Sequence, residues 1–516
     1  MEKKIILGLF LIFLILLLYP YYLSFFVPSS KGKKITKTYE ISSPTEQNIQ
    51  YTEIKEFKKF DTVHDTVLRN HYLEISCSNQ GAGIKMIRLI QFNISLYKHD
   101  TYSKQLLYFK DPFLNYDLNN SLYETKEEGN KITYTLLIPE QFLLEKIFSL
   151  EENSHLLKFT LRIKNLSAQP LPVNFSLLGA QNLKTGEPWE ERYWEIVYPQ
   201  EERIKHEFFR QIRTTKIYLA PLSWLGLKNK YFAQIIVPSS SLSFTAQRSS
   251  DNQLEIFAEI PLTILQPQEI KEENFFFYFG PLDTEVLSKY NNRWREIVYF
   301  GMFDGIAKFI LKILKRSSYF FRNYGLAIIF LSLLVNFILF PFTWKSLKSM
   351  QALQNLQPQI EELRKQYAQD PQKLNREVLE LYRKHKVNPF GGCLPLFFQI
   401  PVFISLYQVL SRAIELKGAK FLWIKDLSLP DALIVFPKKI LFFDSLNFLP
   451  LLMILGMYFQ QKKSQTYSSS SPSPWFMPLL FGFIFYNLPS GLVLYWLVST
   501  FLNLIFQIQV KKWKII

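Results

Sequence analysis

The sequence predicts a polytopic α-helical membrane protein that carries a separate all-β sandwich domain. Three observations lead there. Five near-uncharged apolar runs occupy about 326–342, 394–410, 446–459, 475–488 and 492–508, and uncharged runs of this kind are the mark of membrane helices. The stretch 65–290 instead alternates apolar and polar residues, with Asn, Gly, Ser and Pro breaks, the period-two pattern of antiparallel strands. A third, isolated apolar segment at 5–19 follows Lys3 and Lys4 near the start of the chain.

The 516 residues suffice for two or three domains. The net charge of +16 admits a nucleic acid or an anionic lipid surface as partner. No RNA or DNA motif accompanies it and much of it flanks apolar runs, so anionic lipid is expected and sequence-specific nucleic acid binding is not. Cys77 and Cys393 are the only cysteines and lie far apart, which argues against a disulfide or metal framework.

In order along the chain, 1–27 reads as an uncleaved transmembrane anchor: the apolar core runs into Tyr19-Pro20-Tyr21-Tyr22 with no small-residue cleavage site. Residues 28–64 are a polar tether. The sandwich at 65–290 is exemplified by Leu157, Phe159, Leu161 and Ile163 alternating with Lys158, Thr160, Arg162 and Lys164. Leu254, Ile256, Ala258 and Ile260 alternate likewise, although Phe257 breaks the polarity. His64, His71, His99, His155 and His206 are scattered without ligand spacing and are expected to be solvent-exposed, on a binding or spacer domain. No metal or cofactor is expected.

At 291–322 the period becomes helical. Phe303, Ile306, Phe309, Ile310 and Ile313 share one face, Lys308, Lys312 and Lys315 another, as in a helix lying at the headgroup level. The segment 323–343 is a span ended by Pro341, with Ser332 and Asn336 four apart on one face. Residues 344–389 form an antiparallel helical hairpin of about 20 residues per arm. Its stripe is Leu347, Met350, Leu353, Leu356, Ile360 and Leu363, and its turn is Asp370-Pro371. Residues 390–516 hold four more spans and a basic tail. Gln399 lies in the first of these, a mixed loop covers 415–445, and the final span follows Asn487-Leu488-Pro489-Ser490-Gly491.

Six spans put both termini on one side. The Lys and Arg of the hairpin, Lys462, Lys463 and the tail mark that side as cytoplasmic, against opposing lysines at 417, 420, 425, 438 and 439. The runs at 446–459 and 475–488 have 14 residues each, about 21 Å of helix against roughly 30 Å of hydrocarbon. Either they thin the bilayer or their terminal Tyr, Trp, Lys and Gln residues extend them.

Four motifs carry a family resemblance. They are Leu356-Gln357-Pro358, the run from Val387 through Asn388-Pro389-Phe390-Gly391-Gly392-Cys393 to Pro395, Gln399-Ile400-Pro401-Val402-Phe403, and Leu488-Pro489-Ser490-Gly491 through to Tyr495-Trp496. Trp423-Ile424-Lys425-Asp426-Leu427-Ser428 also fits. From 324 onward the chain resembles the YidC/Oxa/Alb membrane protein insertases, and the anchor plus sandwich resembles the Gram-negative form, whose large domain is periplasmic. The resemblance implies an inner-membrane insertase and chaperone that catalyses no covalent reaction. Its implied partners are nascent membrane proteins, the Sec translocon, and the ribosome and signal-recognition components. It further implies a hydrophilic groove, open to cytoplasm and lipid and closed outward, for which Ser332, Asn336, Gln399, Tyr495 and Trp496 are the candidate lining. One departure stands out: the family usually has an arginine five residues before the proline of this first core span, and Asn336 occupies that place. A secondary transporter would share midplane polar groups and broken helices, but the spans carry no internal Asp, Glu, Lys or Arg and no inverted repeat is evident.

Overall fold

The computed structural model describes residues 62–99, 104–111, 113–114, 116–181, 183, 190–212, 214–248, 253–388, 394–440, 443–464 and 474–512. The expected anchor at 1–27, most of the tether and the 389–393 part of the second motif lie outside them.

The β region is built from three antiparallel sheets around one apolar cluster. A four-stranded meander covers Asp65–Arg69, Leu73–Ser78, Ile84–Leu89 and Ile94–Lys98. A nine-stranded sheet is centred on Ile270–Pro281 and Leu156–Asn165, paired in register Phe275 to Phe159 and Phe277 to Leu157. A five-stranded sheet faces it, with Leu254–Leu265 between Leu242–Arg248 and Leu171–Gln181. Leu157, Phe159, Leu161 and Ile163 are all buried, because alternate residues of a strand share one face. Phe257 breaks the alternation for a structural reason: Glu255 and Phe257 are buried as well, covered by Lys104 and Lys110. That strand is enclosed on both faces.

Two histidines differ from expectation. His155 is buried, stacked on Tyr72 at 4.3 Å. Burial and the nearby Lys289 push its pKa down to about 4. His206 lies against the Glu195 carboxylate at 3.0 Å, which Lys228 also reaches at 2.8 Å.

The helices follow. Helix α1 (Thr284–Tyr290) starts where the Asp283 side chain accepts from the amides of Glu285 and Val286. A 3₁₀ stretch, Asn292–Ile297, leads to α2 (Asp304–Phe321). The apolar side of α2 is split. Ala307, Ile310, Leu311 and Leu314 are buried against the helices Tyr324–Asn355 and Leu394–Arg412, while Ile306 and Phe309 point outward. Two of the residues expected to share one face with Ile310 therefore remain free to meet lipid. Arg322, at φ +50°, ends α2. Asn323 then caps α3 (Tyr324–Asn355) through the amides of Gly325 and Leu326.

Pro341 does not end this helix, as the sequence led us to expect. It sits inside α3, which continues to Asn355. A proline costs an interior helix one backbone bond, here the one to the Phe337 carbonyl, and α3 continues past it on the remaining ladder; Thr343 Oγ1 separately donates to the Leu339 carbonyl at 3.2 Å. The break comes instead at Leu356, ahead of Gln357-Pro358. Helix α4 (Gln357–Gln366) begins there with proline in its first turn, and α5 (Pro371–Lys384) follows the Asp370 cap. The arms are thus 10 and 14 residues, shorter than expected, because the first half of the predicted arm belongs to the long helix.

Helices α6 (Leu394–Arg412), α7 (Phe448–Ser464), α8 (Phe476–Phe485) and α9 (Ser490–Lys512) complete the core. The loop expected at 415–445 contains structure: a 3₁₀ turn, Ile414–Leu416, and a β-hairpin of Ile434–Ile440 with Phe443–Leu446. Among the described residues, α3 and α9 are long and apolar enough to cross a membrane. Phe337, Phe397 and Phe483, on three different helices, are each at least 66% exposed. Large apolar side chains projecting from several helices suit a hydrocarbon solvent and not water. A second apolar cluster runs from Trp224 and Tyr278 of the β region, through Trp294 of the 3₁₀ stretch, into α2, α3, α6 and α9, so the sandwich is seated directly on one end of the helical core.

Candidate functional site, a polar cluster among the membrane-length helices

Helices α3, α6 and α9 bring together polar side chains that are far apart in sequence. Ser332 Oγ lies 3.2 Å from the Tyr495 carbonyl and 3.0 Å from Ser499 Oγ. One turn along α3, Asn336 Nδ2 donates to the Ser332 carbonyl at 2.8 Å and to Ser499 Oγ at 2.9 Å. From α6, Gln399 Nε2 donates to the Tyr495 hydroxyl at 3.2 Å. Each contact replaces a bond that water would otherwise supply, and an unpaired polar group here would be costly.

The cluster is graded. Ser332 and Tyr495 are fully buried, whereas Asn336 and Gln399 are half-buried. The half-buried pair lies toward the helical hairpin, since Asn336 is one turn nearer the α4 end of α3 and Gln399 sits in the first turns of α6. On the side of the sandwich the same three helices close. Ile328, Leu331, Leu406, Leu410, Leu492 and Val493 are all buried. Gly491 makes that closure tight: a Cβ there would meet Ile328 and the Leu427 carbonyl at 3.1 Å. The polar side chains are thus more exposed toward the hairpin end and give way to buried apolar side chains toward the sandwich.

Trp496 does not join the polar cluster. One residue on from Tyr495, it turns to another side of α9. There its ring packs on Phe403, Phe481 and Phe485 at centroid distances of 5.3, 6.0 and 5.2 Å. It belongs to an aromatic wall joining α6, α8 and α9. Sequence reasoning missed Ser499, which contacts both Ser332 and Asn336. The available signal is spacing: Ser499, Asn503 and Gln507 recur every four residues along α9, a polar stripe on one face. Gln507 Oε1 is buried without a hydrogen-bond partner. Neither α3 from 324 to 344 nor α9 from 490 to 510 carries a charge, so the cluster is polar but neutral.

Comparison with known proteins decides the family. A sequence model described as 60Kd inner membrane protein matches residues 316–515, and one described as YidC periplasmic domain matches 66–313. The membrane protein insertase YidC of Geobacter metallireducens is 33% identical over 396 residues, covering 75% of this chain and 71% of that one. The chain belongs to the YidC membrane protein insertase family. The YidC of Geobacter sulfurreducens is 30% identical over 461 residues, covering 85% of this chain and 84% of its own. A solved structure of an active YidC insertase, with its first transmembrane domain resolved, aligns at 18% identity and a TM-score of 0.40, over 86% of this chain and 92% of that one. For this YidC-family chain the β-rich region is the periplasmic domain and the helical part is the inner-membrane domain. The transporter alternative is set aside.

Proposed function

We propose that this insertase takes the short polar end of a nascent membrane protein into the recess between α3, α6 and α9, while the substrate's apolar segment moves along the lipid-facing sides of the same helices. The observation that carries this is the Ser332, Asn336, Ser499, Tyr495 and Gln399 cluster, half-exposed toward the hairpin and plugged toward the sandwich. A polar peptide entering hydrocarbon loses its hydrogen bonds with water in one step. Groups at intermediate depth offer replacements and divide that step into smaller ones.

In this reading six spans cross the inner membrane: 1–27, α3, α6, α7, α8 and α9. Both termini are cytoplasmic, with the hairpin, Lys462, Lys463 and the tail lysines on that side. The hairpin is α4 with α5, and the rest of the core runs from α6 onward. The hairpin receives substrate and meets the ribosome and signal-recognition components. The Sec translocon is a partner in the membrane, and anionic lipids meet the basic flanks. Trp496 offers an aromatic surface to the substrate's apolar segment.

A photo-crosslinking amino acid at single positions, with a ribosome-bound arrested membrane protein as substrate, tests this. Adducts are expected at Asn336 and Trp496 and not at Val493, inside the plug. Adducts at Val493 as strong as at Asn336 would overturn the one-sided recess.

A further inference from the structure

The β-hairpin between α6 and α7 is unlike the rest of the helical domain, because its base is built and its blade is bare. At the base, Asp431 is 5% and Asn447 1% exposed. Asp431 Oδ2 accepts from the amides of Phe448 and Leu449 at 2.7 and 3.0 Å and from Trp423 Nε1 at 3.3 Å, capping α7. Asn447 accepts from the Ala432 amide at 3.0 Å and donates to the Tyr486 carbonyl at 2.7 Å. The Tyr486 hydroxyl returns to the Ser445 carbonyl at 2.8 Å. The hairpin is thereby fixed to the start of α7 and the end of α8.

Beyond that base, Leu433, Ile434 and Val435 are 45%, 52% and 69% exposed. Neighbours on a strand point to opposite faces, so exposure of both Ile434 and Val435 means that neither face rests on protein. Lys438 and Lys439 lie farther along the same strand.

We propose that this hairpin lies in the headgroup–acyl boundary of the outer leaflet and that its partner is lipid. Four observations place it there. It leaves the core at the start of α7, and the loop that joins it to α6 begins on the side of the periplasmic domain, whose Tyr231 hydroxyl reaches the Ser411 carbonyl at 3.3 Å. Its apolar surface continues into the outward residues Phe448, Leu451 and Leu455 of α7. Its sequence carries two adjacent lysines, Lys438 and Lys439, a charge that suits a layer of phosphates. Its depth is limited as well, since a two-stranded ribbon has unpaired backbone edges that hydrocarbon does not tolerate but the hydrated boundary does. The hairpin so becomes an outer-leaflet float that holds the short α7–α8 pair at a set level.

This rests on the membrane placement of the helices but not on the polar recess. The test labels Val435→Cys with an environment-sensitive fluorophore in the full chain carrying Cys393→Ser. The buried Cys77 stays in place. The chain is reconstituted in phosphatidylcholine with roughly one third phosphatidylglycerol. Phe337→Cys, on the outward side of α3, is the control. The expected result is strong quenching at both positions by spin-labelled lipid, shallow-label quenching dominating at 435, with little effect of aqueous iodide. Iodide quenching at 435 while 337 answers to lipid would overturn the proposal and leave the membrane placement intact. Shielding of 435 from both quenchers would also overturn it, because protein would then be the cover. Loss of lipid quenching at 337 would remove the membrane placement on which the proposal stands.

Discussion

Asn336 leaves the polar cluster without a charge. Its amide is held by Ser332 and Ser499, and no charge lies within the spans around it. An arginine in that place would add a full positive charge where the dielectric is low. At an effective dielectric constant of about 20, a charge pair 4 Å apart gains at most about 4 kcal/mol. Desolvation consumes much of that, leaving on the order of 1.4 kcal/mol, or about tenfold in binding. Asn336→Arg should therefore raise crosslinking of acidic-tailed substrates by up to about tenfold at low salt and less at high salt. An unchanged yield contradicts an electrostatic role. Ser332 and Asn336 were legible in the sequence because a polar residue inside an apolar run has to be explained. Ser499 was not, because a serine on a helix can bond its own preceding turn and so passes as neutral. In the sandwich, Lys146 makes a separate prediction. It is fully buried, donating to the carbonyls of Gly81 and Leu107 at 2.7 and 3.2 Å, with the Phe109 ring 4.1 Å away. Burial pushes its pKa down to about 7. Between about pH 7 and the ordinary lysine value the unfolded chain binds a proton that the folded chain does not, so stability rises with pH across that window. Amide exchange of Phe142–Leu150, corrected for intrinsic rate, should slow between about pH 7 and pH 9 in the full chain, and Lys146→Met should lose that dependence. The same slope in the variant would contradict it.

At the scale of elements, the strands were legible because one buried face forces alternation, and the ends of helices were not. Pro341 reads as a stop, yet α3 runs through it and stops at Leu356. A membrane helix tolerates the single bond a proline removes, here the one to the Phe337 carbonyl, when the rest of the ladder continues past it. The 434–446 hairpin was hidden because its apolar, consecutively exposed residues follow neither period. The junction of the sandwich with the core turns on Lys315, which reaches Glu415 at 2.8 Å, Asp283 at 3.1 Å and Glu285 at 3.4 Å. Burial opposes its charge, but the Glu415 and Asp283 carboxylates outweigh it and hold the ammonium protonated. Lys315→Ala would leave Glu415 buried without its partner, at a cost of about 2–4 kcal/mol. Faster protease cleavage within 414–416 should report the loss, with recovery in Lys315→Arg. Cleavage as slow as in the parent chain would show that packing alone holds the junction. Helix α8 has 10 residues, about 15 Å against a layer of roughly 30 Å. If the α7–α8 pair thins the bilayer, insertion into vesicles should slow as acyl chains lengthen. Equal rates across the series would favour the alternative, in which flanking groups extend the helices.

Across the whole molecule, the division into β domain, hairpin and apolar core was readable from composition and period, and the motifs from Leu356 onward carried the family. The gradation was not readable: which end of the polar cluster is buried and which is half-exposed depends on how α3, α6 and α9 pack, and no spacing within one helix encodes that. In the proposed function, the cluster forms a one-sided recess that gives polar peptide a path among the helices. It is tested most directly by single cysteines at Ser332, Asn336, Ser499, Asn503 and Val493 in inner-membrane vesicles of known orientation, reacted with a water-soluble maleimide from each side. The account predicts labelling of Asn336, Ser499 and Asn503 from the cytoplasmic side, little at Ser332, and none at Val493 from either side. Labelling of Val493 from the periplasmic side, or no labelling of Asn336 from the cytoplasmic side, would contradict it.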